Sequence, residues 1–312
     1  MSDWAVGLST GCFYRTNILE CLQPIRESGF SMIEVCSSPS HLDYHDLAAV
    51  HRAAGRISEL GMTAHSFHAP FADHIDISAL EKQRREESLR EIFQAVEAAA
   101  VLRVSYFVIH PGPEHATPPL PHERQQRMEN VVESLNRVAH RCRSLGLACV
   151  LENKLPHLLF GNTGDILQIL EALDAVEAGV CLDTGHAHLS GDISHLLRKL
   201  SGHVRILHVH DNRRNYDDHL PPGDGMIDWK SLLHQLTREG FHGALILEIA
   251  ATSETAHTLE NARRGRAHLR EVSRQILREK LARDAAAARR RGRMRLGHRA
   301  QPLVQPGGGD AA

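Results

Sequence analysis

Eight short apolar segments alternate with longer amphipathic segments along most of the chain. The apolar segments are rich in β-branched residues and almost free of charge, which is typical of strands buried on both faces of a parallel sheet. They cover residues 5–10, 31–37, 62–68, 104–110, 147–152, 178–183, 204–210 and 243–248. The clearest helical segments cover residues 79–102, 122–145, 163–173, 228–240 and 254–280. Asn162 and Asp228 precede two of these segments and are predicted N-caps.

Eight strand-then-helix units within about 280 residues predict a (β/α)₈ TIM barrel. An open, doubly wound sheet is the structural alternative, but the segment STGCFYRTN after the first strand lacks the GxGxxG turn typical of that fold. We therefore assign residues 1–280 to one barrel domain. Residues 281–312 are rich in Arg and Ala and then in Pro and Gly, which predicts a disordered C-terminal tail. An Arg-rich helix that contacts an acidic partner or nucleic acid is the alternative for this tail.

Charge and hydropathy limit the classes of partner. The net charge of −2 gives no overall basic field, which argues against nucleic acid as a partner. No apolar run reaches the roughly 18 residues needed to span a membrane, and the N-terminus lacks the pattern of a secretory signal peptide. Six cysteines without CxxC spacing indicate free thiols in a reducing compartment. We expect a cytoplasmic protein that binds a small molecule, and a homo-oligomer remains open.

Histidine is unusually frequent, since 23 His exceed the 14 aromatic residues (8 Phe, 4 Tyr and 2 Trp). In a TIM barrel, the C-terminal ends of the strands form the active face. Predicted strands three to eight each carry a metal-capable side chain at or near this end: His68, His110, Glu152, Asp183, His208 and Glu248. Converging carboxylates would repel one another, and a bound cation removes that repulsion. The pattern therefore predicts a metal-dependent enzyme.

The predicted ligands combine carboxylates with imidazoles and include no thiolate. Such a set suits Mn²⁺, Mg²⁺, Co²⁺ or Zn²⁺, and affinity order alone does not choose among them. His186, Asp217 and His219 follow the ends of strands six and seven and are candidates for further metal or substrate contacts, as are His68 and His110.

Four sequence pieces resemble a known group of enzymes. They are CLDTGHAH (181–188), HVHDN (208–212), DDHLPPGDGMIDW (217–229) and the strand-ending Glu248. With them the chain resembles, over residues 5–275, the xylose isomerase-like TIM-barrel superfamily. That superfamily includes sugar phosphate isomerases and epimerases, inositol-catabolism proteins and endonuclease IV. The motifs are specific for the superfamily but not for one reaction.

The resemblance to the ketose epimerases implies one divalent metal, for which Mn²⁺, Mg²⁺ or Co²⁺ is favoured and Zn²⁺ is the alternative. It implies that Glu152 and Glu248 exchange protons with the substrate and that His186 contacts a substrate oxygen. It further implies that Arg213 or Arg214 binds the substrate. The implied metal ligands are Glu152, Asp183, His208 and Glu248.

The resemblance to endonuclease IV implies instead a trinuclear zinc site. Its residue types match at His68, His110, Glu152, Asp183, His186, His208, Asp217, His219 and Glu248. The chain departs from that branch in HVHDNRRNYDDH (208–219) and in the loop NKLPHLLFG (153–161). Because loops on this rim determine what docks, these departures argue against DNA as the substrate.

The sequence therefore favours a metal-dependent sugar or polyol isomerase or epimerase that transfers protons next to a metal-polarised carbonyl. A lyase or dehydratase is a close variant, because it begins with the same proton removal. A zinc-dependent endonuclease acting at abasic DNA is the second hypothesis. A metal-binding barrel without catalytic activity is the third.

Overall fold

The computed structural model describes residues 4–114, 119–174, 178–191 and 193–297, with side chains described up to residue 286. Eight parallel strands close into a barrel in the order of the sequence, which confirms the predicted (β/α)₈ fold. The strands are β1 (Val6–Ser9), β2 (Met32–Cys36), β3 (Thr63–His68), β4 (Tyr106–Ile109), β5 (Ala148–Glu152), β6 (Gly179–Asp183), β7 (Val204–Val209) and β8 (Leu245–Leu247).

Helices cover the outside of the barrel. A 3-10 helix (Thr10–Phe13) follows β1, and the α-helices are α1 (Ile18–Glu27), α2 (Leu47–Glu59), α3 (Lys82–Val101), α4 (Pro121–Ser144), α5 (Thr163–Ala172), α6 (Thr184–Leu189), α7 (Ile193–Lys199), α8 (Trp229–Arg238) and α9 (Thr255–Gly297). The predicted caps are confirmed, since Asn162 and Asp228 accept hydrogen bonds from backbone N–H groups in the first turns of α5 and α8. No helix among the described residues is long and apolar enough to cross a membrane.

A small apolar cluster inside the barrel explains where the polar side chains lie. It contains Val108, Val150, Cys181 and Ile206, one from each of β4 to β7. Successive side chains along a strand point to opposite faces, so the side chain two residues further on shares the same face. Those positions hold His110, Glu152, Asp183 and His208. The four polar groups therefore lie on the barrel axis, one layer above an apolar floor.

The last helix is longer than the sequence indicated. Residues 281–297 continue α9, whereas a disordered tail was expected from residue 281, and residues 298–312 lie outside the described part of the chain. Ala and Arg are among the best helix formers, so the Arg/Ala-rich segment can extend a helix that the barrel already anchors. The last buried apolar residue of α9 is Ile276, and the described side chains after it are exposed.

Candidate metal centre

The four predicted metal ligands converge at the C-terminal mouth of the barrel. Glu152, Asp183 and His208 lie on β5, β6 and β7, and Glu248 directly follows β8. One ligand atom from each of the four lies within 4.8 Å of the ligand atoms of the others. The first three side chains are buried and Glu248 is partly open, so this group has a closed base and an accessible upper side.

Glu34 on β2 determines how His208 presents its imidazole. His208 Nε2 donates a hydrogen bond to Glu34 Oε2 at 2.9 Å. The hydroxyls of Ser9 and Ser66 donate to the same carboxylate at 3.2 and 2.8 Å. With the proton on Nε2, the lone pair of Nδ1 faces the ligand group. Burial opposes ionisation of Glu34, but His208 outweighs it and lowers the pKa of the Glu34 carboxyl to about 2.

The surroundings of His208 Nδ1 fit a divalent cation. This atom is buried and has no hydrogen-bond partner among the described residues. Glu152 Oε1 lies 3.2 Å away and Glu248 Oε2 3.3 Å away. A lone pair that faces two carboxylate oxygens is repulsive unless a proton or a cation lies between them, and imidazole with carboxylates is a donor set for Mn²⁺, Co²⁺ or Zn²⁺. The residues present therefore fit the metal that the sequence predicted.

Charge repulsion also acts on Glu248 itself. Burial and the carboxylates of Glu34 and Glu152 raise the pKa of Glu248 to about 7, against the opposing effect of His208. Burial disfavours the charged form of Glu152 as well, but the neighbouring His208 and His110 hold the pKa of Glu152 well below its usual value. The two glutamates that the sequence assigned to proton transfer thus have different proton affinities.

Two further predicted residues contact Glu152 from the opposite side. His68 Nε2 lies 3.1 Å and His110 Nε2 3.3 Å from Glu152 Oε2. The Nδ1 atom of His68 donates to the carbonyl of Ala69 at 2.8 Å. Burial lowers the pKa of His68, but its hydrogen bond to Glu152 and nearby carboxylates raise it to about 9. His68, Glu152 and His208 thus form a second group with metal-ligand spacing.

His110 is held by a buried ion pair that the sequence did not indicate. Its Nδ1 atom pairs with Glu114 Oε1 at 2.7 Å, and Lys154 Nζ lies 3.0 Å from the same oxygen. Lys154 is 1% exposed and also donates to the carbonyls of Gly112 and Pro113. A protonated lysine has three N–H donors, so these three acceptors can use all of them.

A third group of possible ligands lies beside Asp183. It consists of His186, His210, Asp217 and His219. His186 and His219 donate from Nδ1 to the carbonyls of Asn153 and Glu248, and their Nε2 atoms lie 3.3 and 3.1 Å from Asp217 Oδ2. Burial lowers the pKa of both imidazoles, but neighbouring carboxylates raise it to about 10 for His186 and about 9 for His219.

His210 is the member of this group that was not among the predicted site residues. Its Nε2 atom lies 3.1 and 3.0 Å from the two oxygens of Asp183, and its ring stacks on that of His219 with centroids 3.8 Å apart. Gly185 allows this position, because a Cβ there would overlap the His210 ring. The DTGH segment therefore needs glycine for a steric reason.

The loop between β7 and α8 is organised by Asp211. Its Oδ1 accepts from the backbone of Ile227, and its Oδ2 accepts from the backbone of Gly223 and from Trp229 Nε1. The backbones of Asp211 and Leu220 form an antiparallel bridge. This network fixes the loop that carries Asp217 and His219 over the barrel mouth.

A cavity of about 860 Å³ lies above these groups. Seven predicted residues line it: His68, His110, Glu152, His186, Asp217, His219 and Glu248. Asp183 and His208 lie beneath its surface and are fully buried. The structure does not bring Arg213 or Arg214 into the lining. The side chain of Arg213 is 61% exposed beside Asp218, and Arg214 donates to the carbonyl of Gly191.

Some site residues had weak or no sequence signals. Glu34 is the one charge within the apolar segment SMIEVCS, and that interruption could have indicated an inward-facing polar role. His210 shares a face with His208 at the two-residue spacing of a strand. Glu114 and Lys154 lie in loops, where no periodic pattern indicates which residues meet.

Comparisons with known proteins find similar enzymes and a similar solved structure. The chain is 26% identical to the inosose dehydratase of Lacticaseibacillus casei over 48% of this chain and 56% of that enzyme. It is 25% identical to the ketose 3-epimerase of Arthrobacter globiformis over 80% of this chain and 83% of that enzyme. A solved structure of the IolI protein with a bound zinc atom covers 85% of this chain and 97% of its own, at 16% identity and a TM-score of 0.73.

The model of one protein family matches residues 22–272, which is most of the barrel. Its description is a xylose isomerase-like TIM barrel. An enzyme of the sugar isomerase, epimerase or dehydratase kind fits this scaffold and these relatives. The chain belongs to the xylose isomerase-like TIM-barrel family.

Proposed function

We propose that this protein is a metal-dependent isomerase, epimerase or dehydratase that removes a proton next to the carbonyl of a sugar or a cyclic polyol ketone. The observation that supports this most directly is the position of His208 Nδ1, which faces Glu152 and Glu248 at 3.2 and 3.3 Å without a hydrogen-bond partner among the described residues. A divalent cation bound by Glu152, Asp183, His208 and Glu248 would polarise the substrate carbonyl. The identities of the relatives support the same reaction class.

The chain's own residues supply the proton transfers. Glu152 and Glu248 both border the cavity, so a ketone above them can contact a carboxylate on either side. The carboxylate of one residue takes the proton from the carbon next to the carbonyl. The other residue begins protonated, and return of its proton to the opposite face of the same carbon gives epimerisation. Return of a proton to the former carbonyl carbon, while the adjacent hydroxyl passes its proton to the former carbonyl oxygen, gives isomerisation.

Dehydration begins with the same proton removal. If a hydroxyl lies on the next carbon, it can leave as water once a proton reaches it. His186 lines the cavity with its Nε2 atom 3.3 Å from Asp217, which also lines it, so His186 can deliver that proton or hold the hydroxyl. The substrate's own substituents would then determine which outcome follows.

Deuterium exchange tests the proposed reaction. The metal-loaded protein in D₂O should introduce deuterium next to the carbonyl of a ketohexose or an inosose, and Glu248→Gln should abolish the exchange. Glu133→Gln on α4 is the matched control, because this glutamate is exposed outside the cavity lining. Absence of exchange across a panel of ketohexoses, ketopentoses and inososes with Mn²⁺, Mg²⁺, Co²⁺ and Zn²⁺ would refute the proposal.

A zinc phosphodiesterase is the second candidate, supported by the additional ligand groups around His68, His110 and His186. Phosphodiesterases often hold two or more cations that contact the attacking and leaving oxygens. DNA binding also requires cationic side chains that neutralise phosphates. The described cavity lining offers one Lys or Arg, Lys154, and it is already paired with Glu114. Cleavage of an abasic duplex by the zinc-loaded protein, without deuterium exchange, would favour this candidate.

A further inference from the structure

The charge of the cavity lining restricts the substrate class. Within the described lining, Lys154 is the one Lys or Arg side chain, and its donors meet Gly112, Pro113 and Glu114. His45 is paired with Asp43 and Glu91. Within the described lining, no Lys or Arg side chain is thus left to hold a phosphate or carboxylate away from the metal centre. Arg15 lies outside this lining, with its guanidinium carbon 5.1 Å from the centroid of the Tyr14 ring. Glu91 and Asp218 add negative charge to the same lining and would repel such groups.

The outer part of the cavity has an aromatic wall. Phe71 and Tyr14 line it and are 52% and 40% exposed. The ring centroid of Phe71 lies 5.1 Å from that of His68 and 5.2 Å from that of His110. Phe71 therefore lies directly beside the imidazoles of His68 and His110. Exposed aromatic faces in a concave site are typical of surfaces that a ligand covers.

Hydrogen-bonding groups border the aromatic wall. Glu91 Oε2 receives hydrogen bonds from Tyr44 Oη and His45 Nε2, each at 2.9 Å, which fixes this carboxylate at the cavity edge. Ser37 and Ser38 lie in the same lining. Carboxylate and hydroxyl groups beside an aromatic face suit a polyhydroxylated ring, which presents C–H groups to the face and hydroxyls to the edge.

The cavity is also large for one sugar ring. Its volume of about 860 Å³ is near the upper end of the range for pockets that enclose drug-sized ligands. A hexose has roughly a dozen non-hydrogen atoms, well below the size of such ligands. We propose that the substrate is uncharged and has two parts, with a ketone-bearing polyol at the metal centre and a glycosyl ring against Phe71 and Tyr14. This inference rests on the proposed function and specifies its substrate class.

Three ketoses with a free carbonyl test the inference: fructose, fructose 6-phosphate and isomaltulose, which carries a glucosyl group on the same oxygen as the phosphate. The metal-loaded protein is assayed for deuterium exchange in D₂O with each compound. We expect kcat/KM for isomaltulose to exceed that for fructose by about tenfold or more, and fructose 6-phosphate to be the poorest substrate. Phe71→Ala should lower the isomaltulose-to-fructose ratio by about tenfold.

Tyr216→Ala is the matched control, because Tyr216 is a 77% exposed aromatic outside the cavity lining and should leave the ratio unchanged. The inference is overturned if fructose or its phosphate exchanges as fast as isomaltulose, or if Phe71→Ala leaves the ratio unchanged. Either result leaves the proposed function intact, because exchange has occurred. Absence of exchange with all three ketoses, and with the inososes and other ketoses of the wider panel, overturns the proposed function instead.

Discussion

Glu34 should control the affinity for the metal although it is not one of the four proposed metal ligands. Its carboxylate accepts the N–H of His208 and the hydroxyls of Ser9 and Ser66. In Glu34→Gln, the amide oxygen can still accept from His208 and Ser66 while the amide nitrogen donates to Ser9. The variant therefore keeps the orientation of His208 and removes only the charge. Glu34→Ala removes the acceptor as well and frees His208 to place its proton on Nδ1.

The expected losses of metal affinity follow from the strength of the hydrogen bond between Glu34 and His208. Partners of metal-ligating histidines are typically worth about 10- to 100-fold in metal affinity. We expect Kd for Mn²⁺ or Zn²⁺ to rise about tenfold in Glu34→Gln, equivalent to about 1.4 kcal/mol. In Glu34→Ala we expect about 100-fold, or about 2.8 kcal/mol, because the N–H of His208 loses its hydrogen-bond acceptor altogether.

Isothermal titration of the metal-free variants with each ion measures these constants. Glu133→Gln serves as the control for removing one carboxylate from an exposed site. Thermal melts without metal separate a loss of folding from a loss of binding. Wild-type Kd values in both Glu34 variants, with normal folding, would refute the assignment of His208 Nδ1 as the metal-facing atom.

Three further predictions concern the ion pair, the imidazoles and the last helix. Lys154→Met should lower the free energy of unfolding, measured in urea, by about 3–5 kcal/mol. The reason is that Glu114 stays partly buried without its ammonium partner. The double variant with Glu114→Gln should recover part of the loss, and exposed Lys82→Met should cost little. In the metal-free protein, His68, His186 and His219 have pKa values raised to about 9, 10 and 9, against 6.5 for ordinary imidazole. Protonation of these imidazoles stabilises the fold fully below pH 6.5, and this stabilisation is lost as the pH rises to about 10. The melting temperature of the metal-free protein should therefore fall between pH 6.5 and 10, and bound metal should make this decrease smaller. Deletion of residues 284–312 should leave the melting temperature and metal content unchanged because buried packing ends at Ile276, and a clear drop in either would contradict this.

The convergence of the proposed ligands could be predicted because strand order in this fold determines which residues meet in space. Once eight apolar segments are taken as parallel barrel strands, their C-terminal ends must meet on one rim. Glu152, Asp183 and His208 lie on three different strands, yet the strand ends alone bring them together. The sequence offered a helix in this segment only as the alternative, because composition alone does not show that the barrel anchors the start of a helix. Arg213 and Arg214 were assigned by resemblance, and neither lines the cavity, because Arg213 is exposed beside Asp218 and Arg214 donates to the carbonyl of Gly191.

The residues that hydrogen-bond to the proposed ligands were harder to predict, and they determine which nitrogen of each imidazole is free to bind a metal. A sequence gives the residue type at position 208 but not which imidazole nitrogen faces the metal. That choice is made by Glu34 on β2, a strand that does not pair with β7, through one hydrogen bond of 2.9 Å. Lys154 and Glu114 act in the same way on His110 from two loops. Since each imidazole can bind a cation only through its unprotonated nitrogen, these partners determine which of the histidines could bind a metal.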